Sequence, residues 1–426
     1  MLLPRTRTIP LMPLSRVIGI PGAVVLGLGS MVGTGVFVTL GLAAGVAGSA
    51  LPVAIGIAGL VAMLNGLSSA RLAARHPVAG GTAVYARREL HPLLGTVCGW
   101  LFLVAKGASA AAAAIGLIGY LAPDAPRFTL VLPVLIAGVI AWSGLRLSVI
   151  VTLVMVGIAV ASLIAFGMAA TRSPGFEPAT APTSPRPLDL LHATALVFVA
   201  FTGYGRIATL GEEIRDPARS IPRAVVITVL ATVVLYLMVT LAAFHAVGPE
   251  AFAVARGDDG PLASIARTLD APGVATILSI GAIAAIGGVL LNLVLGLSRV
   301  VLALARDGDL PPAAAATTGG RPLVAIIVVV SGVGILAIVG SIQAAWTTSA
   351  AAVLAYYGIT NLAALVAARR DRRSLGVAIG AAGCLGCLAL ALALPGSAWI
   401  PTIVIAVIGI VVAAIQRRVG TAPRVP

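Results

Sequence analysis

The chain has 426 residues, of which 59% are hydrophobic and only 10% charged, and its mean hydropathy is +1.09. That balance excludes a water-soluble globule, which needs far more charge to cover its surface. The net charge of +14 invites a nucleic-acid partner, but the arginines gather in the connections on one side of successive apolar runs, so they report membrane orientation and attraction to anionic lipid instead.

A bilayer span takes about 20 apolar residues. About twelve runs of that length follow one another: 17–45, 49–72, 92–121, 128–145, 147–170, 189–211, 222–247, 273–304, 322–341, 344–368, 374–394 and 398–416. The first run is too long for a secretory leader and lacks a small-residue cleavage end, so it is expected to stay as a span. Gly29-Ser30-Met31-Val32-Gly33-Thr34-Gly35 interrupts it. Glycine is about 1 kcal/mol worse than alanine inside a helix, so such a cluster predicts local unwinding.

After the second run, His76-Pro77-Val78-Ala79-Gly80-Gly81 is a turn. The third run holds Lys106, the only lysine of the chain. The sixth is interrupted by Phe201-Thr202-Gly203-Tyr204-Gly205 and leads through Arg206 to Glu212 and Glu213. Polar connections 171–188 and 248–272 lie on the arginine-poor side, whereas Arg306–Pro311 and the Arg369–Arg373 cluster lie on the arginine-rich one. Both termini are therefore expected in the cytoplasm, with the chain multi-pass in a plasma (inner) membrane. Cys384 and Cys387 form a C-x-x-C inside an apolar run, where helix filler is the ordinary reading.

Unwound backbone is tolerated in hydrocarbon only where protein or a polar cavity covers it. Two such interruptions in corresponding halves point to a transporter's binding site. A half-helix starting at a break offers free N–H groups, and one ending there offers free carbonyls. A small dipolar solute suits that pair. Gly33, Thr34 and Gly35 would supply donors, and the carbonyls of Met31, Val199 and Thr202 acceptors; glycine-packed helix kinks are the plainer alternative. Phe198, Phe201 and Tyr204 either cover the solute or simply pack. Lys106 either titrates during transport or stands in for a bound cation, unless it is a structural ion-pair partner. Arg206 would gate or pair with Glu212 or Glu213, or bind an anionic group. Asn65, Asn292 and Asn361 are expected to hydrogen-bond between helices. No metal-ligand spacing or nucleophile–base set is visible, so neither cofactor nor enzyme chemistry is expected.

Together, Gly29–Phe37, Phe201–Tyr204 with Glu212–Pro217 and Ile221-Pro222-Arg223, Pro77–Gly81 with Tyr85, and Ala305–Pro311 resemble the signatures of the amino acid–polyamine–organocation superfamily of permeases. The resemblance implies a five-plus-five inverted repeat of the leucine-transporter kind, all-α, with two extra C-terminal helices. The copies would be 17–170 and 189–368, followed by 374–416. It also implies secondary transport of an amino acid or related small amine by alternating access, driven by the proton gradient, with sodium as the alternative. An organic-cation or polyamine carrier or exchanger of the same fold is the runner-up, and a channel or membrane enzyme the reading of another class. Three departures stand out. Arg71-Leu72 replaces the common Glu-Leu, Val199 occupies the usual aromatic-gate position, and the lysine sits in span three rather than five. Substrate and lipid are the expected partners, and nothing bears on oligomeric state.

Overall fold

A computed structural model describes residues 18–76, 81–143, 145–175, 186–209, 214–255, 260–269, 271, 273–318 and 321–418. Among them the chain is helical, and its only strand-like features are two isolated bridges, one of which joins Ile18 to Ile214. Each apolar run is occupied by helix. The first contains α1 (Ile20–Met31) and α2 (Leu40–Ala47), separated by the break and a π-helical turn, Gly35–Thr39. Then come α3 (Leu51–Arg75), the short α4 (Thr82–Glu89), α5 (Pro92–Leu121), α6 (Val131–Ser143) and α7 (Leu145–Ala170). The second half has α8 (Pro187–Phe201), α9 (Gly205–Thr209), α10 (Pro217–Val254), the short α11 (Pro261–Ala266), α12 (Val274–Arg306), α13 (Leu323–Val339) and α14 (Ile342–Arg370). Two more helices follow, α15 (Ser374–Leu392) and α16 (Gly396–Arg418).

Nine stretches among the described residues are long and apolar enough to cross a bilayer, and Ile20–Arg75, counted as one, contains α1, α2 and α3. Two apolar helices, Arg127–Ser143 and Leu323–Val339, are shorter. The expectation of about twelve runs therefore describes twelve helical positions, not twelve segments of full spanning length.

Local chemistry sets the ends. Proline stands in the first turn of α3, α5, α8 and α10, where its missing N–H would be unused anyway. The His91 ring accepts from the Leu93 N–H at the start of α5, and the Ser341 hydroxyl accepts from the Ala344 N–H at the start of α14. Inside α10, Gly248 (φ 80°) precedes Pro249 and turns the axis.

The packing has an exchange pattern. Swapping α1 with α8, α3 with α10, α5 with α12, α6 with α13 and α7 with α14 maps the principal packed pairs onto one another. Thus α1–α10 answers α8–α3, α7–α12 answers α14–α5, and α6–α12 answers α13–α5. The short helices obey it too: α4 packs on α5 and α11 on α12. A repeated five-span unit would give such a pattern. Helix α5 can sit at the centre because Ala110 to Ala114 are all fully buried, and small side chains let helix backbones approach closely. Large apolar side chains of α6, α7 and α13, among them Ile136, Val154 and Ile335, face outward, as a hydrocarbon surrounding requires.

Candidate functional site

Helix α1 stops where the sequence turns glycine-rich. Val32 is extended (φ −78°, ψ 100°), although its N–H still donates to the Leu28 carbonyl. Gly33, Thr34 and Gly35 donate to no backbone carbonyl among the described residues, whereas the Gly33 carbonyl accepts from Val36 and Phe37 and restarts the helix. The Thr34 hydroxyl is buried without a hydrogen-bond partner. Glycine is required here by close approach: a Cβ on Gly33 would collide with the Val289 side chain and lie 3.0 Å from the Ala285 carbonyl oxygen, both on α12. On Gly35 it would meet Ala200 and the Tyr236 hydroxyl. That hydroxyl donates to the Met31 carbonyl at 2.7 Å.

The second interruption differs from the expected unwinding. After Phe201 the chain tightens into a 3-10 turn, Thr202–Tyr204, and continues as α9. The Val199 carbonyl accepts from both the Thr202 N–H and, at 2.7 Å, the Thr202 hydroxyl. A side chain thus closes what glycine would open. The two interruptions touch directly, since a Cβ on Gly203 would lie 2.5 Å from the Ser30 carbonyl carbon and oxygen.

Lys106, midway along α5, reaches this turn: its Nζ donates to Thr202 Oγ1 at 2.8 Å. No carboxylate pairs with it among the described residues. An unpaired charge at such a depth is costly unless a polar cavity solvates it. There is one. A cavity of about 190 Å³ is lined by Ser30, Lys106, Thr202, Gly203, Gly205, Arg206, Asn292, Arg299, Tyr356 and Tyr357, among others. Helical periodicity supplies its walls: Gly99, Phe102 and Lys106 form one face of α5, and Val289, Asn292, Leu293, Gly296, Arg299, Val300 and Ala303 one face of α12. It runs from the two breaks past Gly81, Ala83 and Ala303 towards the arginine-rich side. Towards the other end of α5, Tyr120 is packed in place. Its hydroxyl donates to the Phe37 carbonyl at 3.2 Å, and Gly260 (φ 83°) packs against its ring.

The chain matches the Amino acid permease family over residues 22–369. It belongs to that family. It is 39% identical over 386 residues to an uncharacterized transporter of Mycobacterium tuberculosis, covering 90% of this chain and 87% of the relative. A branched-chain amino acid permease of Bacillus subtilis is 29% identical over 324 residues, covering 70% of this chain and 69% of the relative. A methylthioribose transporter of the same organism is 27% identical over 312 residues, covering 67% and 66%. The protein is accordingly a membrane transporter of the permease type.

Within this permease, the residues expected at the site separate into three groups. Thr202, Lys106 and Arg206 line the cavity. Met31, Gly33, Thr34, Gly35 and Val199 stand behind its wall as the backbone frame. Phe198, Phe201 and Tyr204 are wholly buried and line nothing; Phe201 packs on Tyr236, and Phe198 and Tyr204 on Tyr357. Glu212 and Glu213 lie outside the described residues. Sequence reasoning missed Tyr356, Tyr357 and Arg299. The signal for the tyrosines was present as two adjacent phenols inside an otherwise apolar run.

Two further polar clusters fasten the helices around the site. At the arginine-rich end Arg87 bridges Asp307 and the fully buried Asp309, each at 2.6 Å, and Thr96 donates to Asp309 at 3.0 Å. Glu89, also buried, receives Arg75, His76 and Arg370. Deeper, Asn361 donates to the Asn65 side-chain oxygen, Oδ1, beside Cys387, and Asn292 donates to the Thr152 hydroxyl and the Gly288 carbonyl.

Proposed function

We propose that the protein is a secondary active transporter of an amino acid or a closely related small amine, working by alternating access and coupled to protons through Lys106. One observation supports this reading: the two breaks and Lys106, midway along α5, converge on one cavity. The amide donors at Gly33 to Gly35 with the Thr34 hydroxyl, behind the wall in this structure, receive the carboxylate once the bundle containing α1 moves. The Met31, Val199 and Thr202 carbonyls receive the amine, sharing it with their internal donors. Tyr356 and Tyr357 meet the substrate's body.

Lysine can surrender its proton on desolvation, and arginine cannot. Protonated, Lys106 holds Thr202 by a charge-assisted hydrogen bond and steadies the second break; without the proton the neutral amine holds it more weakly, and the bundle containing α1 and α8 is freer to rock. The arginine-rich face is cytoplasmic in this reading, and the membrane is the plasma membrane. The polyamine or organic-cation reading is weaker, because the charged side chains lining the cavity among the described residues are Lys106, Arg206 and Arg299, all cationic.

The test is uptake of labelled amino acids into proteoliposomes with and without an imposed pH gradient. Wild type should accumulate substrate only with the gradient. Lys106→Ala should retain exchange and lose accumulation; gradient-driven accumulation by that variant would remove the coupling role. Failure to take up any amino acid, with uptake of a sugar or polyamine, would overturn the substrate class.

A further inference from the structure

A second cavity, of about 320 Å³, lies far from the transport path at the arginine-rich face. It is bounded by the last turns of α3 and α14 and the first turn of α15, and its charged lining residues are Arg71, Arg75, Asp371 and Arg373. Arg75 is already matched: it pairs with Glu89 at 2.8 Å and Asp371 at 2.7 Å. Arg71 makes no hydrogen bond or ion pair among the described residues, yet it is close enough to Arg373 for the two to repel. Helix α15 begins at Ser374 without a side-chain cap, so its first N–H groups are unclaimed. Gly376 in that turn lines the cavity, and a Cβ there would stand 3.8 Å from Arg71 Nη1. The turn carrying Arg373 is itself unusual, since Arg372 holds a left-handed backbone (φ 56°) that normally calls for glycine.

Arg373 also lies near the Asp371 carboxylate, but the cavity's three guanidinium groups exceed its one carboxylate, and that excess with hydrogen-bond donors beside it suits an oxyanion. Its depth selects the kind. The site sits where helices end, its remaining walls are Leu72, Ala364, Ala367 and Ala368, and Leu375 beside it is 68% exposed. An amphiphile fits that arrangement, its head in the cavity and its chains along α15. We propose that this cavity binds the phosphate of an anionic phospholipid, held by Arg71, Arg373 and the start of α15. The bound headgroup ties α15 to α3 and α14 and so braces the outer helices against the moving bundle.

The full-length protein is purified, exchanged into nanodiscs of mixed phosphatidylglycerol and phosphatidylcholine, and re-extracted, and its retained lipid is counted by native mass spectrometry. Wild type should retain phosphatidylglycerol about thirtyfold over phosphatidylcholine, as expected for two basic groups near the surface. The monodisperse fraction of Arg71→Gln/Arg373→Gln should lose that preference, while Arg219→Ala, a change at a side chain 79% exposed elsewhere on the same face, should keep it. Equal retention of both lipids by wild type, or an undiminished preference in the double variant, overturns the proposal. Inorganic phosphate supplies the remaining arm. If phosphate stabilises wild type against heat in a zwitterionic bilayer and no lipid preference is seen, the ligand is a soluble anion and the lipid assignment falls.

Discussion

The two breaks occupy matching places in the two halves and are built by opposite means. In the first, glycines admit α12, Ala200 and Tyr236 so closely that the helix cannot continue, and its amide donors are left free. In the second, the Thr202 side chain folds back on Val199, the turn tightens to 3-10, and Lys106 holds it from α5. One break presents bare backbone, and the other is a turn held by a lysine side chain. The two places correspond, and the residues at each decide what it can do. On the proposed reading, binding and coupling are divided between the halves.

The contact between the breaks gives the largest expected effect. Gly203→Ala sets a Cβ 2.5 Å from the Ser30 carbonyl carbon and oxygen, both backbone atoms that cannot rotate away. Overpacking of this sort costs about 1–3 kcal/mol, so substrate affinity in an equilibrium binding assay should fall about ten- to hundredfold. Unchanged affinity would mean that the breaks need not touch.

Gly33→Ala sharpens the comparison from the other side. Its principal obstacle is the Val289 side chain, with the Ala285 carbonyl oxygen next at 3.0 Å. Binding should weaken by about tenfold, and Val289→Ala should recover only part of the loss, because the carbonyl remains. Full recovery would assign the whole effect to side-chain crowding.

For the second break, a double-mutant cycle of Lys106→Met and Thr202→Val measures the staple. A hydrogen bond to a charged group is worth about 1.5–3 kcal/mol, and the coupling read in substrate exchange, which does not need the gradient, should reach at least the lower figure. Additive losses would show the two residues acting separately.

The smallest effect lies outside the path. The Arg75 guanidinium, which donates to Asp371, holds that carboxyl below the usual carboxylate range. A depressed folded-state value means the pair contributes at every pH above the unfolded value of about 3.9 and is lost as pH falls through the lower folded one. The difference in thermal stability between wild type and Asp371→Asn should therefore stay constant from about pH 8 to 5 and shrink only below about 4. A change between pH 8 and 5 would overturn the assignment to this pair.

Much of this was legible beforehand. The apolar runs locate the helices to within a few residues, since about 20 apolar residues leave a chain little choice in hydrocarbon. The depth and singularity of Lys106 marked it out, and the glycine clusters marked both interruptions. The direction of the aromatic side chains was not legible. Phe198, Phe201 and Tyr204 surround the second break in sequence but turn into the packed bundle, and the cavity instead takes its rings from α5 and α14 as Phe102, Tyr356 and Tyr357. Rotation of a helix about its axis is set by its neighbours, and an α8 apolar on all sides carries no pattern to declare it.

The sequence by itself determined the class, the helices, the sidedness of charge and the two places where the backbone is weakened. Each of these follows from local composition acting against a known solvent. Only the tertiary structure decided that one weakness opens and the other closes, that Lys106 grips Thr202 without a carboxylate among the described residues, and that Ser30 meets Gly203. Those outcomes depend on distances between atoms far apart in the chain, which packing alone sets.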